Sequence, residues 1–295
     1  MKILIIGANG QLGNALCERL EKKFKIVRSF RKDLNLTNFQ NIKQYITNIN
    51  PTIIINAAAY TEVDKAEQNK DLAFSINSTA VKEIAKVAKE KNIYLIHYST
   101  DYVFDGLKDK PYIENDETNP LNIYGKSKLS GEKNLNLKDF DYLIFRTSWI
   151  ISKYGKNFIK TILKLSMKRN YLEIVNDQIG AITSTNLICL ATEKAIEDFV
   201  NFKKWESGIY HLSSRGKTTW FEIGERILKI ASHKNISFEK VKVKPINTNN
   251  YKYLAKRPTN SILDCSKIEK RLNFNIPEWD SGLEDVVNSI LKKYE

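Results

Sequence analysis

The chain has 295 residues, which is enough for one large domain or for a domain with a smaller partner. A hydrophobic fraction of 42% indicates a folded globular protein, and no apolar run approaches the roughly 18 residues of a membrane span. The formal charge of +13 comes largely from lysines interspersed with glutamates along helical patterns, which is typical of solvated helix faces. We therefore expect neither a nucleic acid nor a membrane as a partner, and a positive field that favours anionic small molecules.

Short apolar segments alternate with helical patterns in the first half, which predicts a Rossmann-type, doubly wound parallel sheet of the α/β class. The predicted strands are 2–7, 25–30, 52–57, 93–98 and 142–147. The predicted helices between them are 11–23, 38–48, 70–91 and 121–136.

Beyond residue 150 the alternation is looser and indicates a smaller C-terminal region over the carboxyl edge of the sheet, where open α/β sheets bind ligands. Helical patterns lie at 156–169, 184–199, 219–233 and 281–293. Strand-like pieces lie at 172–175, 209–213 and 241–245. We predict a cofactor-binding domain at 1–150 and a mainly substrate-binding region at 151–295, with 172–204 packing back onto the first domain.

A glycine-rich turn follows the first predicted strand and opens the first helix, with glycines spaced G-x-x-G-x-x-G. Such a turn lets the backbone approach a pyrophosphate and points a helix N-terminus at it, so it predicts a dinucleotide site. The residues expected to contact the cofactor here are Gly7, Asn9, Gly10, Gln11, Leu12 and Gly13.

The end of the second strand is expected to distinguish the two nicotinamide cofactors, because an acid there binds the ribose 2′-hydroxyl whereas Arg or Lys accommodates a 2′-phosphate. Arg31 and Lys32 come before Asp33 and leave no acid at the strand tip, although both are also compatible with plain surface charge. We predict NADPH, with NADH possible, and expect Asp33 and Leu34 near the adenine. Small side chains after the third strand are expected to admit the ribose and pyrophosphate at Ala57, Ala58 and Ala59.

Tyr124 and Lys128 are four residues apart and therefore share one helix face. The lysine charge, with that of the nicotinamide, is expected to lower the phenol pKa from about 10 towards the working pH. A phenol tuned in this way can donate a proton to a carbonyl oxygen as hydride reaches the carbon. Together with the glycine-rich turn, the pair predicts a nicotinamide-dependent reductase of a carbonyl group.

The fourth strand ends in two adjacent hydroxyls, Ser99 and Thr100, either of which can bind a substrate carbonyl beside the tyrosine. We choose Thr100. His97, between apolar neighbours in the same strand, is predicted to be a core residue and not a catalytic base. His211 and His233 have no ligand partners nearby in the sequence, so no metal site is predicted.

Three cysteines, Cys17, Cys189 and Cys265, are odd in number, far apart and unaccompanied by histidines. This pattern argues against a disulfide framework and a zinc site. The first apolar run ends after four residues, too short for the core of a signal peptide. Reduced thiols and the lack of an export signal predict a cytoplasmic protein.

With these residues assembled, the chain resembles the dTDP-4-dehydrorhamnose reductases, a family of extended short-chain dehydrogenases/reductases. The resemblance runs through nearly the whole chain, in GANGQLG (7–13), INAAAYTEVDKAE (55–67), HYSTDYVFDG (97–106), PLNIYGKSKLSGE (120–132), FRTSW (145–149), NDQ-x-G (176–180), GIYHL (208–212) and KRP-x-x-S (256–261). It implies reduction of the 4-keto group of dTDP-4-dehydro-β-L-rhamnose with NAD(P)H, giving dTDP-L-rhamnose for cell-surface polysaccharide.

The resemblance also implies roles for residues at matching positions. The implied catalytic set is Thr100, Tyr124 and Lys128, of which the last two also contact the cofactor. The implied substrate contacts are Thr100, Asp101, Tyr102, Val103, Trp149, Asn157, Gln178 and Arg257. The apolar face of Trp149 suits a 6-deoxy methyl group, and Arg257 suits a pyrophosphate because Arg can bind two oxygens at once.

Two positions depart from the family pattern. Ile182 stands where the family usually has a proline in D-Q-x-G-x-P-T, which leaves the fit of the nucleotide open. Ala15 stands where some members carry a glutamate that helps to bind a metal at a dimer interface. The departure at Ala15 implies a monomer or a weak homodimer.

Two alternatives stay open. A reductase or epimerase of another nucleotide-linked keto sugar, such as a UDP-linked one, would keep the same catalytic residues, so only its base and sugar pockets would differ. A non-catalytic, NADP-binding regulatory subunit with this fold would tend to lose those residues, and their presence here favours the enzyme.

Overall fold

A computed structural model of the chain describes residues 1–136, 140–202 and 207–292. The strands are β1 (Lys2–Ile6), β2 (Lys25–Ser29), β3 (Ile53–Asn56), β4 (Tyr94–Thr100), β5 (Tyr142–Thr147), β6 (Ile150–Ile151), β7 (Tyr171–Val175), β8 (Ile179–Gly180), β9 (Thr183–Ser184), β10 (Gly208–His211), β11 (Thr218–Thr219) and β12 (Lys242–Ile246). The α-helices are α1 (Gln11–Leu20), α2 (Phe39–Ile49), α3 (Val63–Gln68), α4 (Lys70–Phe74), α5 (Ala80–Glu90), α6 (Ile123–Leu135), α7 (Phe158–Ser166), α8 (Thr185–Phe202), α9 (Trp220–Ser232), α10 (Ser266–Leu272) and α11 (Trp279–Leu291).

Six strands form one parallel sheet in the order β2-β1-β3-β4-β5-β10. β1 and β3 are nearly continuous apolar runs, and β4 is buried along almost its whole length, because helices cover both faces of the sheet. The chain reverses its direction across the sheet between β1 and β3. Ligands of open α/β sheets bind outside the carboxyl ends at such a reversal. The predicted fold class is therefore confirmed.

Three apolar cores hold the molecule together. One lies between the sheet, α1 and α8, and a second lies on the opposite face beneath α2 and α5. The third is separate from the sheet and joins α7, α9 and α11 around β7. α8 thus shares a core with the first half of the chain, whereas α7, which precedes it, and α9 and α11, which follow it, build the third core.

The predicted elements agree with the observed ones to within three residues at each end, apart from the predicted helix 70–91. In its place are α4, a π-helical segment (Ser75–Thr79) and α5. The segment turns the Asn77 amide towards Tyr60 and Ser127 of α6. The sequence did not reveal α3 and α10, because six and seven residues are too few for a helical period to stand out. Residue 293 of the predicted helix 281–293 lies outside the described residues.

Within the described part of the chain, no helix has the length and apolarity needed to cross a bilayer. Cys17, Cys189 and Cys265 are buried and form no disulfide. Burial raises the pKa of Cys17 to about 11 and that of Cys265 to about 12, so both thiols stay protonated near neutral pH.

Candidate active site

The glycine turn forms a tight cradle at the carboxyl end of β1. Gly7 has φ +80°, a conformation that residues with side chains rarely adopt, and a Cβ there would lie 2.8 Å from the Ala58 backbone nitrogen. A Cβ on Gly13 would lie 2.1 Å from the Gly7 carbonyl oxygen. Gly10 is the N-cap of α1 and has no side chain to occupy the first amides of the helix. These residues fit the pyrophosphate of a dinucleotide.

The other predicted residues of the turn differ in what they expose. Asn9 is exposed, whereas the Leu12 side chain is buried in the main core, so only its backbone faces the turn. Gln11 Oε1 accepts a hydrogen bond of 3.1 Å from Asn157 Nδ2. The cradle is therefore linked directly to the segment that precedes α7.

The tip of β2 presents a cation and not an acid. The Ser29 carbonyl accepts hydrogen bonds from Gly7 N and Ala8 N, which ties this tip to the cradle. Asp33 Oδ2 accepts from Phe30 N at 2.9 Å and closes a turn, while Arg31 is exposed and has no ion-pair partner among the described residues. Leu34, expected near the adenine, is buried in the core on the second face of the sheet.

The three alanines after β3 lie partly exposed beside the cradle. Ala57 N donates to the Ile6 carbonyl at 3.0 Å, and Ala58 N donates to Asn56 Oδ1 at 3.2 Å. Ala59 follows on the same stretch. The carboxyl edge of the sheet therefore carries no bulky side chain at these three positions, where a ribose would have to pass.

The start of α6 packs closely on the turn Asp101–Val103 that follows β4. Asn122 is the N-cap, and its Oδ1 accepts from Gly125 N at 2.8 Å. A Cβ on Gly125 would lie 2.2 Å from the Tyr102 carbonyl oxygen. The Tyr102 and Tyr124 rings consequently meet edge to face, with centroids 5.8 Å apart.

Lys128 is buried, and its ammonium faces β4. Its Nζ donates to the Tyr98 carbonyl at 2.5 Å and lies 3.3 Å from His97 Nε2. No hydrogen bond among the described residues joins this ammonium to the Tyr124 phenol. Burial lowers the pKa of Lys128 to about 8, against the opposing charge of Glu132.

The chain's own groups do not lower the Tyr124 pKa, so the Lys128 charge alone does not produce the predicted effect and the contribution of the nicotinamide charge stays a prediction. Burial raises the pKa to about 12, although the neighbouring Thr100 hydroxyl favours the phenolate. The reason is that the phenol loses its hydration while the Lys128 charge is held by β4. Tyr124 is therefore fully protonated at neutral pH.

His97 lies wholly in the interior, as predicted, but the sequence did not reveal its partners. Its Nδ1 is 3.2 Å from Asn56 Nδ2, and its Nε2 faces Lys128. Burial, together with the Lys128 charge, holds the pKa of His97 well below its usual range. The imidazole ring is therefore neutral, and it packs against the Lys128 ammonium.

Thr100 ends β4 and lies beside Tyr124. Its Oγ1 donates to Asp101 Oδ1 at 2.9 Å and accepts from Tyr102 N at 3.2 Å. Burial raises the pKa of Asp101 to about 6, against the neighbouring hydroxyls of Ser261 and Thr100. Asp101 Oδ2 and Ser261 Oγ are buried, and neither makes a hydrogen bond of normal geometry to the described residues, although the Ser261 hydroxyl lies close enough to favour the Asp101 carboxylate. They are polar groups that a hydroxylated ligand could satisfy.

Trp149 has φ +43°, in the left-handed region that a bulky residue rarely enters. Its ring stacks on Trp220 with centroids 4.0 Å apart, and a Cβ on Gly180 would lie 2.8 Å from that ring. Such strain is found most often at ligand sites. The sequence did not point to Trp220, because no spacing links it to Trp149.

Two of the predicted substrate contacts, Val103 and Asn157, have side chains that are buried or hydrogen-bonded within the protein. The turn after β4 buries the Val103 side chain completely in the main core, so only the Val103 backbone can line the predicted pocket. Asn157 is the N-cap of α7, accepting from Lys160 N, and its Nδ2 donates to Gln11 Oε1 and to the Ser152 carbonyl. The Asn157 amide is thus engaged inside the protein.

Two further predicted substrate contacts, Gln178 and Arg257, involve the segment of residues 248–257, which we call the strap. Arg257 belongs to the strap, and Gln178 is hydrogen-bonded to it. Gln178 is buried and its Nε2 donates to Thr248 Oγ1 at 3.0 Å. Arg257 stacks on Tyr253, with its Cζ 3.5 Å from the ring centroid, and its charge acts on the Tyr102 phenol. The strap therefore reaches the same tyrosine that packs on Tyr124.

A parallel sheet with this cradle, and a helix that presents a tyrosine four residues before a lysine, belong to the short-chain dehydrogenase/reductase class. The family model described as the RmlD substrate binding domain matches residues 1–292. The chain belongs to this family, that of the dTDP-4-dehydrorhamnose reductases.

Similar proteins match over almost the full length. The dTDP-4-dehydrorhamnose reductase of Escherichia coli K12 is 39% identical over 294 residues, covering 98% of each chain. The crystal structure of the Clostridium acetobutylicum dTDP-4-dehydrorhamnose reductase is 33% identical, with a TM-score of 0.90 over 99% of this chain and 100% of that one. The Bacillus anthracis reductase, solved in complex with NADP, is 37% identical, with a TM-score of 0.89 over 97% of this chain and 98% of that one.

Proposed function

We propose that this protein is an NAD(P)H-dependent oxidoreductase that reduces the 4-keto group of dTDP-4-dehydro-β-L-rhamnose to give dTDP-L-rhamnose. The observation that carries the proposal is the position of Tyr124, packed on Tyr102 and beside the Thr100 hydroxyl, at the carboxyl edge that also holds the glycine cradle. The names of the relatives and the NADP bound to the Bacillus anthracis reductase support the same substrate and cofactor.

The chain's own groups divide the work of such a reduction. When bound, the nicotinamide supplies the hydride. The cradle of Gly7, Gly10 and Gly13 and the open amides of α1 hold the pyrophosphate, and Ala57–Ala59 let the ribose approach. Thr100 orients the substrate carbonyl, and Tyr124 gives its proton to the carbonyl oxygen. Lys128, held at β4, adds positive charge beneath the site.

The sugar and nucleotide halves of the substrate have separate candidate contacts. Asp101 Oδ2, which has the Ser261 hydroxyl near it but no well-formed hydrogen bond to the described residues, suits a sugar hydroxyl, and the Trp149 ring suits the 6-deoxy methyl group. Tyr102, which packs on Tyr124, and Gln178, which contacts the strap, are further candidate contacts, and Arg257 suits the pyrophosphate. Val103 joins this set through its backbone, because its side chain is buried, and Asn157 joins it beside Gln11 of the cradle.

The experiment that tests the proposal follows NADPH absorbance at 340 nm after enzymatically generated dTDP-4-dehydro-β-L-rhamnose is added to the purified protein. We expect loss of absorbance at a rate proportional to protein, and dTDP-L-rhamnose as the product. A parallel assay with a UDP-linked keto sugar separates the reductase or epimerase of another nucleotide sugar. Bound NADPH without turnover of either sugar would indicate the regulatory subunit.

Arg31 is expected to select NADPH. Its replacement by Ala removes a charge-assisted contact to the 2′-phosphate, so kcat/KM for NADPH should fall about 10-fold while the value for NADH stays nearly constant. Steady-state kinetics with both cofactors checks this. Lys25→Ala, at the amino end of β2, removes one exposed charge far from the strand tip and is the matched control. Equal losses for both cofactors would contradict the assignment.

We also propose the finer organisation of the protein. Residues 1–150 bind the cofactor and 151–295 mainly the substrate, and the three free thiols suit the cytoplasm. The protein is a monomer or a weak homodimer, because Ala15 replaces the metal-binding glutamate of some relatives. A tight dimer in sedimentation equilibrium that dissociates on adding EDTA would contradict this.

A further inference from the structure

The short helix α3 carries two carboxylates of the string VDKAE, for which no role has been given above. Asp64 and Glu67 are three residues apart and therefore share one face of the helix. Both accept hydrogen bonds from segments distant in the sequence, Asp64 from the strap and Glu67 from the start of α6.

Asp64 is bound to the strap by four hydrogen bonds. Its Oδ1 accepts from Leu254 N at 3.0 Å, from Ala255 N at 3.1 Å and from Arg257 Nη1 at 3.2 Å. Its Oδ2 accepts from Arg257 Nη2 at 2.7 Å. Burial raises the pKa of Asp64, but Arg257 and the two amides outweigh it, and the pKa lies below its usual range. Asp64 is therefore ionised at neutral pH.

The ion pair with Asp64 uses the edge of the Arg257 guanidinium that is formed by Nη1 and Nη2. The edge formed by Nε and Nη2 stays available. Nη1 donates to Asp64 and to the Ala255 carbonyl, and Nη2 gives one of its two protons to Asp64. Of the five N–H donors, Nε–H and the second Nη2–H have no acceptor among the described residues. These two lie on one edge, which is the arrangement that binds two oxygens of a phosphate.

The guanidinium is held on its flat side as well. The Tyr253 ring stacks beneath it at 3.5 Å, so the planar group has little freedom to rotate. The Arg257 charge lowers the pKa of the Tyr102 phenol against its burial, which indicates that the two side chains are close. Tyr102 in turn packs on Tyr124.

Helix α3 also holds the first residue of α6, the helix that carries Tyr124 and Lys128. Glu67 Oε1 accepts from Ile123 N, the first residue of α6, at 2.8 Å. Asn122, the cap of α6, closes the arrangement by donating from Nδ2 to the Lys256 carbonyl of the strap at 2.7 Å. Each of the three segments, α3, the strap and the start of α6, is therefore hydrogen-bonded to the other two.

We infer that Asp64 is a positioning residue that aims the free edge of Arg257 at the pyrophosphate of the nucleotide sugar. The inference rests on the proposed function for the identity of that ligand. Asp64 does not touch the substrate. It holds the guanidinium in one orientation, so less side-chain freedom is lost when the phosphate binds.

The test replaces Asp64 by Asn, which keeps the shape and removes the charge. We expect KM for the nucleotide sugar to rise about 10-fold, with kcat and the Kd for NADPH nearly constant. Glu62→Gln is the matched control, because Glu62 precedes the same helix and its one ion pair among the described residues is with the exposed Lys65. An unchanged KM in Asp64→Asn, or an equal rise in Glu62→Gln, would overturn the inference.

A double-mutant cycle separates positioning from simple loss of structure. If Asp64 acts through Arg257, Asp64→Asn adds little to the rise in KM caused by Arg257→Gln, whereas independent effects multiply. Multiplied effects would overturn the inference. Asp64→Glu, which keeps the charge but displaces the guanidinium, should give an intermediate KM and replaces Asp64→Asn if that variant does not fold.

Calorimetric titration with dTDP alone separates this inference from the proposed function. Asp64→Asn should weaken dTDP binding about 10-fold whether or not the keto sugar is turned over. Wild-type protein that binds dTDP but reduces no sugar would contradict the proposed function and leave this binding test decisive. Equal dTDP affinity in wild type and variant would overturn the inference alone.

Discussion

Replacement of Tyr124 by Phe should lower kcat by about 10²-fold or more, the lower range for loss of a general acid. The variant loses only the O–H, because the Phe ring can keep the edge-to-face contact with Tyr102. NADPH binding should change little, since the cradle lies on a different element. Stopped-flow measurement of NADPH oxidation and a fluorescence titration of NADPH check the two halves of this expectation.

Tyr142→Phe is the matched control for this variant. Tyr142 begins β5 at the amino end of the sheet, opposite to the active-site edge, so its kcat should equal that of the wild type. Near-normal turnover in Tyr124→Phe would exclude Tyr124 as the proton donor. The loss should also persist across the neutral range, because the pKa of about 12 keeps the wild-type phenol protonated throughout.

Glu132→Gln should lower the free energy of unfolding by about 3–5 kcal/mol, because it leaves a buried guanidinium without its counter-charge. Glu132 on α6 and Arg146 on β5 have side chains only 3% exposed. They are joined by three hydrogen bonds of 2.7 to 3.2 Å. The variant therefore loosens the helix that carries Tyr124 from the sheet. Urea unfolding measures the change.

The control for this prediction is Glu90→Gln. Glu90 pairs with Lys43 on the surface, where water screens both charges, so the unfolding midpoint should stay where it is. A loss below about 1 kcal/mol in Glu132→Gln would mean that the buried pair contributes no more than a surface one. Replacing both partners by apolar residues of similar size should cost less than removing one.

The parts of the site that lie close together in the chain were predictable. The cradle is a local pattern, since its glycines follow one buried strand and open one helix. Tyr124 and Lys128 share a helix face whatever surrounds them. Thr100 was less certain because Ser99 offers the same hydroxyl, and only the packing places Thr100 beside the phenol.

Contacts between distant segments were not predictable. The four hydrogen bonds of Asp64 join it to residues about 190 positions later in the chain, and no local pattern in either segment indicates that the two segments meet. The short α3 gave no helical period. Val103 and Asn157 were assigned by position in a family motif, which does not reveal whether a side chain is buried or already bonded.

The sequence by itself determined the fold class, the cofactor cradle and the pairing of a tyrosine with a lysine, because these depend on residue spacing along single elements. Only the tertiary structure decided the electrostatics of the pair. Burial raises the pKa of Tyr124, and β4 draws the Lys128 ammonium towards Tyr98 and His97. Desolvation and long-range partners depend on how the elements pack, and no local spacing encodes them.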